Sequence, residues 1–149
     1  MFISQLRPPR DAGATPNLHS RLASLADRFR RQWNVTVDVA VTPAVPILPE
    51  GLAGEIYSLV SEAVANAAKH AQARKIIARV VIDAEDVVMS IDDDGRGFPF
   101  FGVYTLDELN AQKRGPVTLK ERVESLSGSL SLYSTQEGSR IEIRVPRQS

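Results

Sequence analysis

The chain has 149 residues, 43% of them hydrophobic, which is enough for one domain with a sizeable core. Eighteen basic residues balance eighteen acidic ones, which argues against nucleic acid as a partner. The absence of cysteine excludes disulfides, zinc–thiolate sites and thiol catalysis, and with only His19 and His70 there is no histidine-rich metal centre. No apolar run approaches the roughly twenty residues of a membrane span, and the N-terminus has no signal-peptide core. The chain therefore reads as a soluble, cytoplasmic domain with no membrane contact of its own, whether or not its parent protein is anchored.

Residues 1–16 hold three of the nine prolines and few apolar anchors, and read as a linker or tail, leaving 17–149 as the domain. A helix is expected over 17–33, with Asn17 as N-cap and Leu18, Leu22, Leu25 and Phe29 at helical spacing. Residues 34–42 alternate, with Val35, Val37, Val39 and Val41 on one face of a half-buried strand. A proline-rich loop leads to a central helix over 50–72 whose core stripe is Leu52, Ile56, Leu59, Ala63 and Ala67. Segments 75–83 and 86–93 form a β-hairpin. In its second strand Asp93 keeps the parity of Val87, Met89 and Ile91, so period-two geometry turns this carboxylate inward, where it needs a partner.

Residues 95–116 are rich in glycine and aromatics and show no strand period. They read as a lid, with a short helix begun by the capping box Thr105-x-x-Glu108. A second capping box, Thr118-x-x-Glu121, starts a helix running to about Ser127, and strands at 129–135 and 139–146 close the chain. Mixed, mostly hairpin-linked strands with interspersed helices favour an α+β sandwich with helices on one face of a mixed sheet.

Two constellations carry chemistry. On the central helix Glu62, Asn66 and Lys69 form one polar stripe beside the core stripe, and Glu55 extends it. A solvated Glu-Asn-Lys face is the ordinary reading of such a triplet. The small residues Ala63, Ala65, Ala67, Ala68 and Ala71 instead allow close approach of backbone or a ligand. A carboxamide oxygen suits Mg²⁺ that keeps waters and substrate phosphates. The second constellation is Asp92-Asp93-Asp94-Gly95. As a calcium loop it fails, because the twelfth position would be Phe101 and not Glu. A simple acidic turn is one alternative; the other is a carboxylate that accepts from the adenine amine, with glycines letting backbone approach the nucleotide.

Glu62-x-x-x-Asn66-x-x-Lys69-His70-Ala71 resembles the N-box of the GHKL superfamily, and Asp93-x-Gly95-x-Gly97-Phe98 resembles its G1 box. The run from Gly115 to Val123, followed by Leu126, Gly128 and two strands, is similar to the tail of the nitrate-sensor class of bacterial sensor histidine kinases. The resemblance implies the Bergerat fold, a two-layer α/β sandwich with a mixed, mostly antiparallel sheet, and it implies binding of ATP and Mg²⁺. By that analogy Asn66 is the magnesium ligand, Lys69 a phosphate contact, Asp93 the adenine contact, and Glu62 the catalytic polar residue near the reacting phosphate. Gly95, Gly97, Gly115, Thr118, Leu119 and Ser139 complete the implied nucleotide site. Two positions depart from the family: Thr118 replaces a glycine, and Gly138-Ser139 replaces a Gly-Thr pair. As a helix start, Thr118 would aim free amides at the phosphates.

The implied activity is transfer of the γ-phosphoryl group to a histidine on a dimerisation and histidine-phosphotransfer domain, for relay to a response regulator. Neither His19-Ser20 nor His70-Ala71 resembles the family's phosphoacceptor motif, so the acceptor lies elsewhere. The rivals are an anti-sigma-factor serine kinase, against which 119–146 speaks, and a non-catalytic kinase-like module holding partners through Phe98, Phe100, Phe101 and Tyr104 of the lid. Those four aromatics otherwise pack into the core or form a mobile flap.

Overall fold

The computed structural model describes residues 17–43, 48–49 and 51–147. The tail expected at 1–16 and the helix start expected at Glu50 lie outside the described residues. Helix α1 (Leu18–Trp33) starts where Asn17 Oδ1 accepts from the Ser20 amide at 2.8 Å, and it buries Leu18, Leu22, Leu25 and Phe29 as the spacing requires. It stops at Asn34, whose left-handed backbone (φ 54°) suits an asparagine C-cap. Strand β1 (Thr36–Thr42) follows, then α2 (Leu52–His70), whose apolar face includes Ile56, Leu59, Ala63 and Ala67. Strands β2 (Lys75–Ile82) and β3 (Asp86–Asp93) form the expected hairpin, and β5 (Ser129–Thr135) and β6 (Gly138–Pro146) a second one.

Two elements differ from expectation. The lid contains a strand, β4 (Gly102–Thr105), paired antiparallel to β5 with Val103 opposite Tyr133. Four residues are too few for a period to declare itself, and the strand exists because β5 offers an open edge. Helix α3 (Leu106–Gln112) then begins at the full Thr105–Glu108 capping box, both of its hydrogen bonds being made. Helix α4 (Val117–Ser125) is capped two residues earlier than the Thr118–Glu121 box predicts. Its N-cap is Pro116 with no side-chain cap, so Thr118 is an exposed residue inside the first turn. Proline fixes φ and Pro116 is extended (φ −76°, ψ 111°), so the chain turns helical directly after it.

The six strands make one sheet in the order β1-β2-β3-β6-β5-β4. Only β1 and β2 run parallel, with α2 as the crossover between them; all other pairs are antiparallel. One face carries Ile76, Ala78, Val80, Val87, Met89, Ile91, Leu130, Leu132, Ile141, Ile143 and Val145, all buried in the core that the helices cover. The other face carries mostly polar and charged side chains, with Ile77, Val81 and Val88 among them. There Asp92 accepts from Arg140 Nε at 2.7 Å and lies 3.7 Å from Arg79. Asp92 and its neighbour Asp93 thus point to opposite faces, as the pleat demands. This is a two-layer α+β arrangement with a mixed, mostly antiparallel sheet.

Candidate functional site

The site grows from the end of β3. Asp93 projects from the core face and is half-buried there. Its Oδ1 accepts from the Gly95 amide at 2.8 Å and its Oδ2 from the Ser139 hydroxyl at 2.5 Å. Loss of water around the carboxylate outweighs those two hydrogen bonds and holds its pKa above the ordinary 3.8. Its neighbour Asp94 does the opposite job. Its Oδ1 accepts from the Arg74 and Lys75 amides at 2.8 and 3.0 Å, the Lys75 bond chiefly holding its pKa low, and this pins the loop to the start of β2.

The Gly-Arg-Gly turn that follows is fitted against protein backbone. A Cβ on Gly95 would collide with the carbonyl oxygen of Ala71, and one on Gly97 with that of Thr135. Gly97 also needs its left-handed φ of 77°. The Arg96 amide donates to Ala71 O at 2.9 Å, its Nε to His70 O at 3.3 Å, and the Phe98 amide to the buried Ser134 Oγ at 2.8 Å. Gly95 and Gly97 are thus required by the packing of the loop itself. Their first task is to let the loop lie against the end of α2 and the β5–β6 turn.

Between α2 and this loop lies a cavity of about 520 Å³, within the usual range for small-molecule sites. Ala63 and Ala67 of α2 and Ile91 and Ile141 of the sheet give it apolar walls. Asn66, Lys69 and His70 line it from α2, Asp93 and Ser139 from the strand ends, and Arg96, Gly97, Phe98 and Pro99 from the loop. It brings together five of the residues singled out by sequence: Asn66, Lys69, Asp93, Gly97 and Ser139.

The others stand apart from its lining. Glu62 is one turn before Asn66, with Oε1 3.7 Å from Arg122 Nε of α4. That nitrogen is buried and makes no hydrogen bond, so the pair is an ion pair only. Gly95 packs on Ala71, and Gly115 (φ 86°) faces Leu109. Thr118 is exposed, and the Leu119 side chain is fully buried in the core, so Leu119 could reach a ligand from α4 only through its backbone amide. Arg96, Pro99 and the walls Ile91 and Ile141 were missed as site residues. Arg96 stood between two motif glycines, but the isoleucines read only as core.

The arrangement can seat a flat, mostly apolar ring system between alanines and isoleucines, and Asp93 at its end can accept from a donor. Among the described residues no group of three or more His, Cys, Asp or Glu could hold a metal ion. A divalent cation here would need the Asn66 oxygen together with oxygens of a bound ligand. That is the coordination Mg²⁺ takes with phosphates, so the residues present fit it.

The profile of the family described as histidine kinase-, DNA gyrase B- and HSP90-like ATPase matches residues 51–149. The sensor histidine kinase LiaS of Bacillus subtilis is 25% identical over 146 residues, which are 97% of this chain and 38% of LiaS. The signal transduction histidine-protein kinase/phosphatase DegS of the same organism is 35% identical over 95 residues, 61% of this chain and 23% of DegS. The chain thus spans well under half the length of these relatives. Among solved structures, the ATP-binding domain of PrrB from Mycobacterium tuberculosis superposes with a TM-score of 0.61 at 25% identity, covering 90% of this chain and 96% of that one. The histidine kinase domain of a blue-light-activated kinase from Erythrobacter litoralis shares the fold (TM-score 0.65, 22% identity, 93% and 72% covered).

Proposed function

Because the chain belongs to the histidine kinase-, DNA gyrase B- and HSP90-like ATPase family, we propose that it is the ATP-binding catalytic domain of a two-component sensor histidine kinase. The observation that carries this reading is the convergence of Asn66, Lys69, Asp93 and Ser139, from one helix and two strand ends, on a single cavity.

Adenine lies between the alanines of α2 and Ile91 and Ile141. Its exocyclic amine donates to Asp93, whose Oδ2 is oriented by Ser139. The phosphates lie toward Lys69 and the start of α4, where the amides at Thr118 and Leu119 precede the first intrahelical hydrogen bond of the Lys120 amide to Pro116 O. When bound, Mg²⁺ supplies charge neutralisation of the phosphates, and Asn66 is the residue that would hold it. Glu62 acts next to the reacting phosphate once its loose pairing with Arg122 opens. Positioning and charge stabilisation are the main demands of phosphoryl transfer, and this set of residues answers them. The γ-phosphoryl group passes to a histidine on a dimerisation and histidine-phosphotransfer domain, and from there to a response regulator. With that relay, the location we propose for the domain is the cytoplasm. Among the described residues no helix is long and apolar enough to cross a membrane.

Titration calorimetry of the chain with ATP and ADP tests the reading. Binding should strengthen with Mg²⁺, and Asn66→Ala should remove that Mg²⁺ dependence. Glu62→Gln should leave binding intact and slow transfer to a supplied phosphotransfer domain. A parent chain that binds neither nucleotide would refute the proposal.

A further inference from the structure

The chain's single tryptophan, Trp33, ends α1 and is 45% exposed, so core burial does not explain it. Its ring meets the last turn of α2. The Lys69 ammonium lies 5.7 Å from the indole centroid, inside the range of a cation–π contact. Lys69 also lines the cavity, and among the described residues it forms no ion pair. The family match begins at residue 51, so Trp33 belongs to a helix outside the matched region.

We propose that Trp33 is a positioning residue of the nucleotide site, whose ring holds the Lys69 ammonium at the cavity rim until phosphates draw it in. The inference rests on the nucleotide reading above. A lysine head at an exposed site gains only a weak attraction from an aromatic face, whereas a polyphosphate offers several negative charges. The ring is thus a resting place that a nucleotide outcompetes, at a small cost in affinity. It also makes α1 part of the phosphate end of the site: a displacement of α1 that moves the indole changes how free Lys69 is.

The test uses the whole chain, with Trp33 as its own fluorophore and calorimetry as an independent measure of binding. Adding ATP with Mg²⁺ should change Trp33 emission in the parent and leave it constant in Lys69→Met. Trp33→Leu should bind ATP and ADP about two- to fivefold more tightly, the factor a weak cation–π contact corresponds to. Adenosine affinity should be unchanged, and in a Lys69→Met background Trp33→Leu should have no effect. Trp33→Phe, which keeps a ring, should lie between parent and Trp33→Leu. If the parent binds ATP with constant emission and Trp33→Leu binds as the parent does, the proposal is overturned and the nucleotide reading stands. Equal weakening of ATP and adenosine by Trp33→Leu would also overturn it, by showing a purely structural role. Absence of ATP binding by the parent overturns both.

Discussion

At the scale of single residues, Asp93 shows a site held at some cost to the fold. Its folded pKa lies above 3.8 because burial disfavours the charge. The folded chain therefore holds this proton more tightly than the unfolded chain. The stability this contributes is full below 3.8 and is lost as pH rises through the folded pKa. At neutral pH the ionised carboxylate costs stability despite its donors Gly95 and Ser139, and a further donor offsets that cost. Asp93→Asn keeps an acceptor for Gly95 and can donate to Ser139, so the nucleotide-free variant should melt higher than the parent at pH 7. Below pH 3.8 that difference should shrink. The same variant should bind ATP more weakly by about 1.5–3 kcal/mol, the contribution of a hydrogen bond to a charged group. Calorimetric melting at both pH values and ATP titration check the two halves separately; equal ATP affinities would remove the adenine contact from Asp93.

At the scale of elements, what matters is how the loop after β3 is clamped between α2 and the β5–β6 turn. Gly97 and Gly115 both have left-handed φ, 77° and 86°, yet their surroundings differ. At Gly97 a Cβ meets the Thr135 backbone carbonyl, which cannot move without breaking the sheet end. At Gly115 it meets only Leu109 side-chain atoms at 3.4 Å or more. Both alanine variants carry backbone strain of about 1–3 kcal/mol, but Gly97→Ala adds the collision. Urea unfolding should show the larger loss of stability for Gly97→Ala, and nucleotide binding should fall with it. Equal midpoints for the two variants would mean that the loop is free to shift. In α4, Lys120 is 7% exposed and donates to Arg114 O at 2.7 Å, tying α4 to the α3–α4 turn.

At the scale of the whole molecule, residues 98–116 are partly anchored. Strand β4 is paired to β5, Leu109 is fully buried, and Phe98, Phe100 and Tyr104 pack on the core; Phe101 and Val103 are exposed, at 53% and 63%. Phe100 stacks against Phe98 and meets Tyr104 edge-on, with centroids 5.6 and 5.2 Å apart. Hydrogen exchange of the nucleotide-free chain should therefore divide the segment. Residues 102–109 should be protected more than 113–116, and both less than the central strand β3. ATP with Mg²⁺ should raise protection at 113–119, where the phosphates are expected. Uniform protection across 98–116 equal to that of β3 would exclude any lid motion.

Much of this was legible in the chain itself, because local order writes itself locally. The Asn17 cap, the Thr105–Glu108 box, the core stripes of α1 and α2 and the opposite facing of Asp92 and Asp93 follow from periodicity and short-range hydrogen bonds. The convergence of Asn66, Lys69, Asp93 and Ser139 was readable only through the resemblance of two motifs and of the tail that holds Gly138-Ser139, since spacing alone left a solvated helix face and an acidic turn as alternatives. The tertiary structure alone decided the rest. β4 is a strand because β5 has an open edge. Gly95 and Gly97 are required by Ala71 and Thr135, residues 24 and 38 positions away. Trp33 and Lys69 meet across 36 positions. Such pairings are chosen by the packing of the folded chain as a whole, and no periodicity within a segment records which distant surface it will meet.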